Sequence, residues 1–246
     1  MKNIFEIFFS SVKYKFLLLS KKKSRIYHYH IRKTGGTSIN HAFLSLFSRN
    51  SKAVYLALAK KQKISFSVFS ICGWNKSIIN SGRYLYAFSH EPYYEIQNLK
   101  NTFTFTCFRD PCSRVLSHYR MLLEMRVSNS THPCMRTESR WLGRSFQDFL
   151  AHIPKEHLLN QLWMFSSSFS ISEACDNISS LNCVLYTENL ADGIRQIANK
   201  TRLPLQARHD RKTSYEFVPS NFDLENLRDR LEPEYQLLDK VQNCLR

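Results

Sequence analysis

The stretch RIYHYHIRKTGGTS, residues 25–38, combines the features of a strand, a turn and a helix start. Residues 25–31 alternate in character and are rich in aromatic side chains, which predicts a strand. Residues 33–38, KTGGTS, supply the glycines and hydroxyl residues of a turn. Apolar residues then recur at helical spacing, namely Ile39, Ala42, Phe43, Leu46 and Phe47. The pattern predicts a strand, a glycine turn and a helix.

A second unit of the same kind begins at residue 102. TFTFTCF, residues 102–108, alternates like a strand, and Arg109-Asp110-Pro111 ends it. We expect Asp110 to cap the following helix and Pro111 to be its first residue. The apolar face of that helix comprises Cys112, Val115, Leu116, Tyr119 and Leu122.

The rest of the chain continues the alternation of strands and helices. Further strands are predicted at 84–88 and 183–186, and further helices at 146–152, 156–165 and 190–200, with a last helix from Leu224 that Pro233 splits. Residues 128–140 are polar and aperiodic, which predicts a mobile loop. This order predicts an α/β fold with a mostly parallel central sheet flanked by helices.

Length and hydrophobic pattern predict one domain. The chain has 246 residues, so we expect a single domain over residues 25–246. Residues 1–24 form an apolar and basic segment, but Glu6, Lys13 and Lys15 interrupt it, which argues against a membrane span. Two hypotheses stay open for this segment: an interfacial helix on an anionic membrane, and a helix packed on the flank of the domain.

Charge and cysteines narrow the function classes. Lys and Arg outnumber Asp and Glu by 35 to 20, giving a net charge of +15, so a polyanionic partner is expected. The seven cysteines form no CxxC pair, and we expect no metal site. Cys107 and Cys112 are predicted to be buried, and a Cys175–Cys183 disulfide is left open.

Both strand ends carry candidate anion-binding residues. Ligands of open α/β sheets bind outside the carboxyl ends of the strands. Gly35 and Gly36 let the backbone approach a phosphate, the next helix directs N–H groups at it, and Lys33 adds positive charge. A Walker A loop has its lysine after the second glycine, whereas Lys33 precedes both, which weakens a kinase interpretation. At the second strand end, Arg109 and Ser117 can bind a further phosphate; an ordinary ion pair and a solvated serine are the alternative.

The two motifs together resemble those of PAPS-dependent carbohydrate sulfotransferases (PAPS is 3′-phosphoadenosine 5′-phosphosulfate), and most closely the heparan sulfate O-sulfotransferases and their bacterial relatives. YHIRKTGGTS, residues 29–38, is similar to their 5′-phosphosulfate loop, and FRDPCSRVLSHYR, residues 108–120, to their 3′-phosphate motif. Arg32 stands where the family commonly has proline. The resemblance implies a P-loop NTPase-like sulfotransferase fold.

The resemblance also implies roles for particular residues. The 5′-phosphosulfate would be bound by Lys33, Thr34, Gly35, Gly36, Thr37 and Ser38, and the 3′-phosphate by Arg109 and Ser117, with Lys212 as a further donor-binding residue. His90 is the expected base and Lys33 the residue that stabilises the departing phosphate, with Glu91 as the rival base. Expected acceptor contacts are Glu91, Tyr94, Gln161 and His209. The other histidines His28, His30, His118 and His132 are interpreted as structural, and basic residues such as Arg114 and Arg120 as solvated or sugar-binding.

The sequence therefore predicts a PAPS-dependent O-sulfotransferase acting on a carbohydrate hydroxyl, with no metal and with an acceptor that is acidic or neutral. A P-loop-like nucleotide kinase and a basic nucleic-acid-binding domain are the alternatives; no nucleic-acid partner is expected, since no recognition motif accompanies the charge. The expected location is cytoplasmic with peripheral membrane contact, and the Golgi membrane is the alternative. The oligomeric state is left open.

Overall fold

A computed structural model describes residues 25–66, 69–97, 99–207 and 215–244 of the chain. Residues 1–24, with their predicted membrane contact, lie outside the described residues. In the described ranges, no helix is long and apolar enough to span a membrane. The described residues fall into two compact units: those within residues 1–108 and 180–210, and those within residues 109–179 and 211–246. The single domain predicted over residues 25–246 stays a prediction.

The first unit is built on a six-stranded sheet. Its strands, in chain order, are β1 (Arg25–Tyr29), β2 (Lys63–Ser65), β3 (Ser70–Gly73), β4 (Tyr86–Ser89), β5 (Thr102–Phe108) and β6 (Cys183–Tyr186). They lie in the order β2-β3-β4-β1-β5-β6, and only the edge strand β2 pairs antiparallel. Every residue of β5 is buried, as expected for a strand covered on both faces.

The helices of the first unit are α1 (Gly36–Leu44), α2 (Ser51–Lys61), α3 (Lys76–Asn80) and α10 (Leu190–Thr201). Alternate strand residues such as Phe103, Phe105 and Cys107 join one core cluster with Phe43 of α1 and Ile197 of α10. Because alternate residues of a strand point to the same face, this cluster covers one face of the sheet. The predicted α/β class, with a mostly parallel sheet flanked by helices, is confirmed.

The second unit is helical. Its helices are α4 (Pro111–Val127), α5 (Cys134–Leu142), α6 (Phe146–His152), α7 (Lys155–Leu158), α8 (Asn160–Trp163), α9 (Ile171–Ser179), α11 (Asn221–Arg230) and α12 (Glu232–Cys244). Asp110 caps α4 by accepting a hydrogen bond from the Ser113 N–H at 2.7 Å, and Pro111 is its first residue, as predicted. The break that was predicted at Pro233 falls at Leu231, between α11 and α12, and Pro233 lies in the first turn of α12.

The prediction of a loop over residues 128–140 is wrong for its second half. Residues from Cys134 onward form α5, whose apolar residues lie at its two ends at helical spacing, with a polar stretch between them. Glu138 is buried in this helix, and its Oε2 lies 2.6 Å from Nε2 of the buried His118 in α4. This buried hydrogen bond joins α5 to α4. Cys107 and Cys112 are buried as predicted, and neither Cys175 nor Cys183 forms a disulfide.

Candidate active site

The loop between β1 and α1 has an unusual backbone. Lys33 has φ of 68° and Gly35 has φ of 80°, so two of its residues adopt the left-handed conformation. Thr34 between them is buried, and its hydroxyl donates to the Ile31 carbonyl at 3.0 Å. The loop is thereby folded back on the end of β1, and Lys33 is half-buried at its turn.

The two glycines of this loop are required for different physical reasons. Gly35 needs its positive φ, which side chains with a Cβ adopt at a cost. Gly36 has an ordinary φ, but a Cβ there would lie 1.9 Å from Cδ2 and 2.0 Å from Nε2 of His30. The His30 ring therefore occupies the space that a side chain at residue 36 would need.

Helix α1 begins with features that favour an anion. Its N-cap is Gly35, which has no side chain to accept a hydrogen bond from the first N–H groups, and residues 36–38 include no acid. The positive end of the helix dipole and the hydroxyls of Thr37 and Ser38 thus lie at one turn. The arrangement can bind a phosphate or sulfate group.

His90 follows β4 and is oriented by β1. The two strands pair in register, Tyr29 with Ser89, and the pairing continues with the His30 N–H donating to the Ser89 carbonyl at 2.9 Å. His90 Nδ1 lies 2.5 Å from the His30 carbonyl, which can only accept, so Nδ1 carries the proton. The basic nitrogen of neutral His90 is then Nε2, the tautomer that a general base at this nitrogen requires.

Glu91 and Tyr94 lie in the segment after His90. Glu91 is half-buried, and its N–H donates to the Ser89 hydroxyl at 3.1 Å. Tyr94 belongs to the 3₁₀ turn Tyr93–Glu95 and is 36% exposed. Both belong to the same unit as Lys33 and His90.

The turn after β5 opens the second unit and is fixed by a glutamine. The Arg109 N–H donates to Gln161 Oε1 at 2.9 Å, and Gln161 Nε2 donates to the Arg109 carbonyl at 3.0 Å. Both backbone groups of Arg109 are therefore bound by one amide. Ser117 is half-buried, two turns along α4.

Gln161 is itself held by a buried ion pair. It is 0% exposed, its Nε2 donates to Glu234 Oε2 at 3.0 Å, and its N–H donates to Glu234 Oε1 at 2.6 Å. Glu234 pairs with Arg114 Nε at 3.6 Å, and both side chains are fully buried. The expected acceptor contact of Gln161 stays a prediction, and in the structure its amide binds the backbone of Arg109.

Arg114 and Arg120 differ from the interpretation as solvated charges. Arg114 is fully buried and donates to the carbonyls of His157 and Leu158 as well as pairing with Glu234. Burial lowers the pKa of Arg114 and Glu234 opposes that shift. Arg120 donates to the Phe217 carbonyl at 2.8 Å. Both arginines therefore have structural partners within the second unit.

Within the first unit the structure brings together the loop 33–38, His90 and one residue that the sequence argument set aside, His30. Arg109, Ser117 and Gln161 belong to the second unit, and the predicted site residues Lys212 and His209 lie outside the described residues. Alternation along β1 gives His28 and His30 the same face, which is the signal that could have drawn attention to them. Among the described residues, no group of three His, Cys, Asp or Glu side chains could hold a metal ion.

A glycine turn that leads from a central parallel strand into a helix without a side-chain cap is an arrangement that can bind a phosphate-like group in α/β proteins. The chain matches the sequence model of the Sulfotransferase family over residues 17–237, and it belongs to that family. It is therefore a transferase of sulfuryl groups. No curated protein gives a significant match to the chain.

Proposed function

We propose that the protein transfers the sulfuryl group of PAPS to a carbohydrate hydroxyl. The single observation that carries this proposal is the loop 33–38 beside a histidine whose Nδ1 is bound by a backbone carbonyl. The loop has the features of a site for the 5′-phosphosulfate, and the histidine has the tautomer of a base. The family membership supports sulfuryl transfer in general.

The donor is assigned to two regions of the chain. Lys33, Thr34, Gly35, Gly36, Thr37 and Ser38 bind its 5′-phosphosulfate, supported by the uncapped start of α1. Arg109 and Ser117 bind its 3′-phosphate, supported by the resemblance of residues 108–120 and by the double backbone bond that fixes Arg109. A guanidinium suits a phosphate because it donates two parallel hydrogen bonds.

The reaction is an in-line displacement at sulfur. The acceptor oxygen forms a bond to sulfur while the bond from sulfur to the 5′-phosphate oxygen breaks, and the acceptor proton moves to His90 Nε2. Lys33 stabilises the negative charge that develops on the departing phosphate. Preorganised charge of this kind is generally the largest contribution to such a transfer.

The acceptor is a glycan, with an acidic polysaccharide of the heparan sulfate type as the first candidate. The net charge of +15 supports an acidic acceptor, because a positive surface potential concentrates polyanions. The resemblance to heparan sulfate O-sulfotransferases points the same way.

Radiolabelled sulfate transfer from PAPS to a panel of glycans and lipids tests the proposal. We expect label on at least one glycan, and loss of that label in His90→Ala. Transfer to lipids alone would overturn the carbohydrate assignment. Near-normal activity of His90→Ala would remove that residue from the mechanism, with Glu91→Gln as the next variant.

A further inference from the structure

The imidazole of His30 touches both halves of the proposed site. On one side, the position of a Cβ at Gly36 would lie 1.9 Å from its Cδ2, so the ring lies against the first residue of α1. On the other side, the ring centroids of His30 and His90 are 4.5 Å apart. The backbone carbonyl of the same residue accepts the His90 Nδ1 hydrogen bond at 2.5 Å. One residue thus contacts the loop and the base.

His30 is packed from behind and cannot withdraw into the core. Its ring stacks on His28 with centroids 5.1 Å apart, and His28 stacks on Phe105 at 4.6 Å. His28 Nδ1 donates to Asn40 Oδ1 at 3.0 Å, and that oxygen also accepts from the Tyr86 hydroxyl at 2.7 Å. Close-packed interiors transmit displacements because they compress little. Phe105, His28 and His30 therefore form one stack, and the His90 ring lies against its end with an interplanar angle of 43°.

The stack is uncharged behind the base. Burial lowers the pKa of His30 well below its ordinary value, and the neighbouring His90, His28, Arg32 and Lys33 lower it further. Burial likewise lowers the pKa of His28 to about 4. At neutral pH both rings are neutral, so His30 acts on His90 by contact and by its carbonyl.

We propose that His30 is a positioning residue that couples the loop binding the donor's 5′-phosphate to the acceptor base His90. The inference rests on the proposed function, since it assigns the loop to the donor and the base role to His90. When a 5′-phosphate binds at the start of α1, the position of Gly36 is transmitted through the His30 ring to His90. Donor binding thereby sets the position of the base His90.

The occupied space at Gly36 provides a test that needs no substrate. Gly36→Ala inserts a Cβ where the His30 ring lies, so it should displace His90. In the His30→Ala background that space is empty, and the same Gly36→Ala change should leave His90 where it is. The two single variants and the double variant form a cycle that reports contact through the ring.

The direct measurement is NMR of protein labelled with ¹⁵N in its histidine rings, titrated with 3′-phosphoadenosine 5′-phosphate (PAP). In the natural sequence we expect His90 to carry its proton on Nδ1 and its ring signals to shift on PAP addition. In His30→Ala the PAP-induced shift should be lost while calorimetry still detects PAP binding. His30→Asn, which keeps a planar polar group, should restore part of the shift. His41→Ala, a buried histidine of α1 bonded to Ser51, should leave the shift unchanged.

The outcomes separate this inference from the proposed function. An unchanged PAP-induced shift in His30→Ala, with PAP bound, would overturn the coupling and leave the donor assignment standing. Absence of PAP binding to the natural sequence would instead overturn the donor assignment. The substrate-free Gly36→Ala cycle would still show whether the His30 ring connects Gly36 to His90. With an acceptor in hand, His30→Ala should lower kcat about tenfold or more at little change in donor KM.

Discussion

The loop after β1 and the turn after β5 both follow a buried parallel strand, yet they are held in opposite ways. The first is held by the absence of side chains: Gly35 permits a left-handed backbone, and Gly36 makes room for the His30 ring. The second is held by the presence of side chains: Gln161 binds both backbone groups of Arg109, and Glu234 and Arg114 hold Gln161. The backbone conformation of the first region should therefore be disturbed by added atoms and that of the second by removed ones.

The largest effect is expected at Lys33. Lys33→Ala removes a preorganised positive charge from the loop and should lower kcat by about 10² to 10³-fold. Steady-state kinetics of sulfate transfer measures it. Lys33→Arg keeps the charge and should retain more activity than Lys33→Ala. Equal losses in the two variants would show that the loop conformation, and not the charge, is what the residue contributes.

Acid should destabilise the protein through the buried histidines behind the loop of the first region. Burial lowers the pKa of His28 to about 4 in the folded protein, while an unfolded histidine has a pKa near 6.5. Between these values the unfolded chain binds the extra proton, so stability is lost as pH falls from about 6.5 to about 4. The loss from His28 alone should be about 3 kcal/mol.

Urea unfolding at a series of pH values checks this dependence. His28→Gln should flatten the dependence on pH over that range, while His132→Gln, at an exposed position, should leave it as it is. A stability that stays constant from pH 6.5 to 4 in the natural sequence would contradict the buried neutral stack.

Two adjacent glycines sharpen the comparison. Gly36→Ala forces a Cβ into the His30 ring and should cost about 1–3 kcal/mol, as overpacked cores do. Gly35→Ala meets its nearest atom, Leu190 Cδ2, only at 3.4 Å and carries only the strain of its positive φ, about 1 kcal/mol. Urea unfolding of both variants should rank Gly36→Ala as the less stable. The reverse ranking would mean that the ring yields easily.

The smallest effect is expected from removing atoms at Gln161. Gln161→Leu leaves the Arg109 backbone and Glu234 without the amide, which should weaken PAP binding about tenfold, in the range of one lost hydrogen bond. Calorimetry measures it. Gln147→Leu is the matched control: its amide binds Asp223 at 3.3 Å in the same unit, and PAP affinity should be unaffected. If Gln161→Leu bound PAP as tightly as the natural sequence does, Arg109 would hold its position without Gln161.

The sequence predicted what depends on local pattern. β5, β6, the Asp110 cap and the glycine turn follow from alternation, capping chemistry and glycine placement within a few residues. The side chains that hold the turn after β5 were not predictable in this way. Gln161 and Glu234 are separated from Arg109 by most of the second unit, and nothing in their own neighbourhoods marks them as partners. α5 was missed for a different reason: its apolar residues lie at its two ends, and the polar stretch between them is typical of a loop.

His30 shows that prediction from sequence is limited even within a local motif. A lone histidine on a strand is ordinarily a core residue, and its sequence neighbours gave no reason to assign more. Only the folded backbone brings its ring against Gly36 and its carbonyl to His90. Functional geometry of this kind requires the register between β1 and β4, which one sequence does not specify.

The central claim is that the loop 33–38 binds the 5′ end of the donor while Arg109 binds its 3′-phosphate. Calorimetric titration of PAP, adenosine 5′-monophosphate and adenosine 3′-monophosphate into the natural sequence, Lys33→Ala and Arg109→Ala tests it most directly. We predict that Arg109→Ala weakens binding of PAP and of the 3′-monophosphate and spares the 5′-monophosphate. Lys33→Ala should weaken binding of PAP and of the 5′-monophosphate and spare the 3′-monophosphate. If each variant weakened all three nucleotides alike, the assignment of one phosphate to each region would be contradicted.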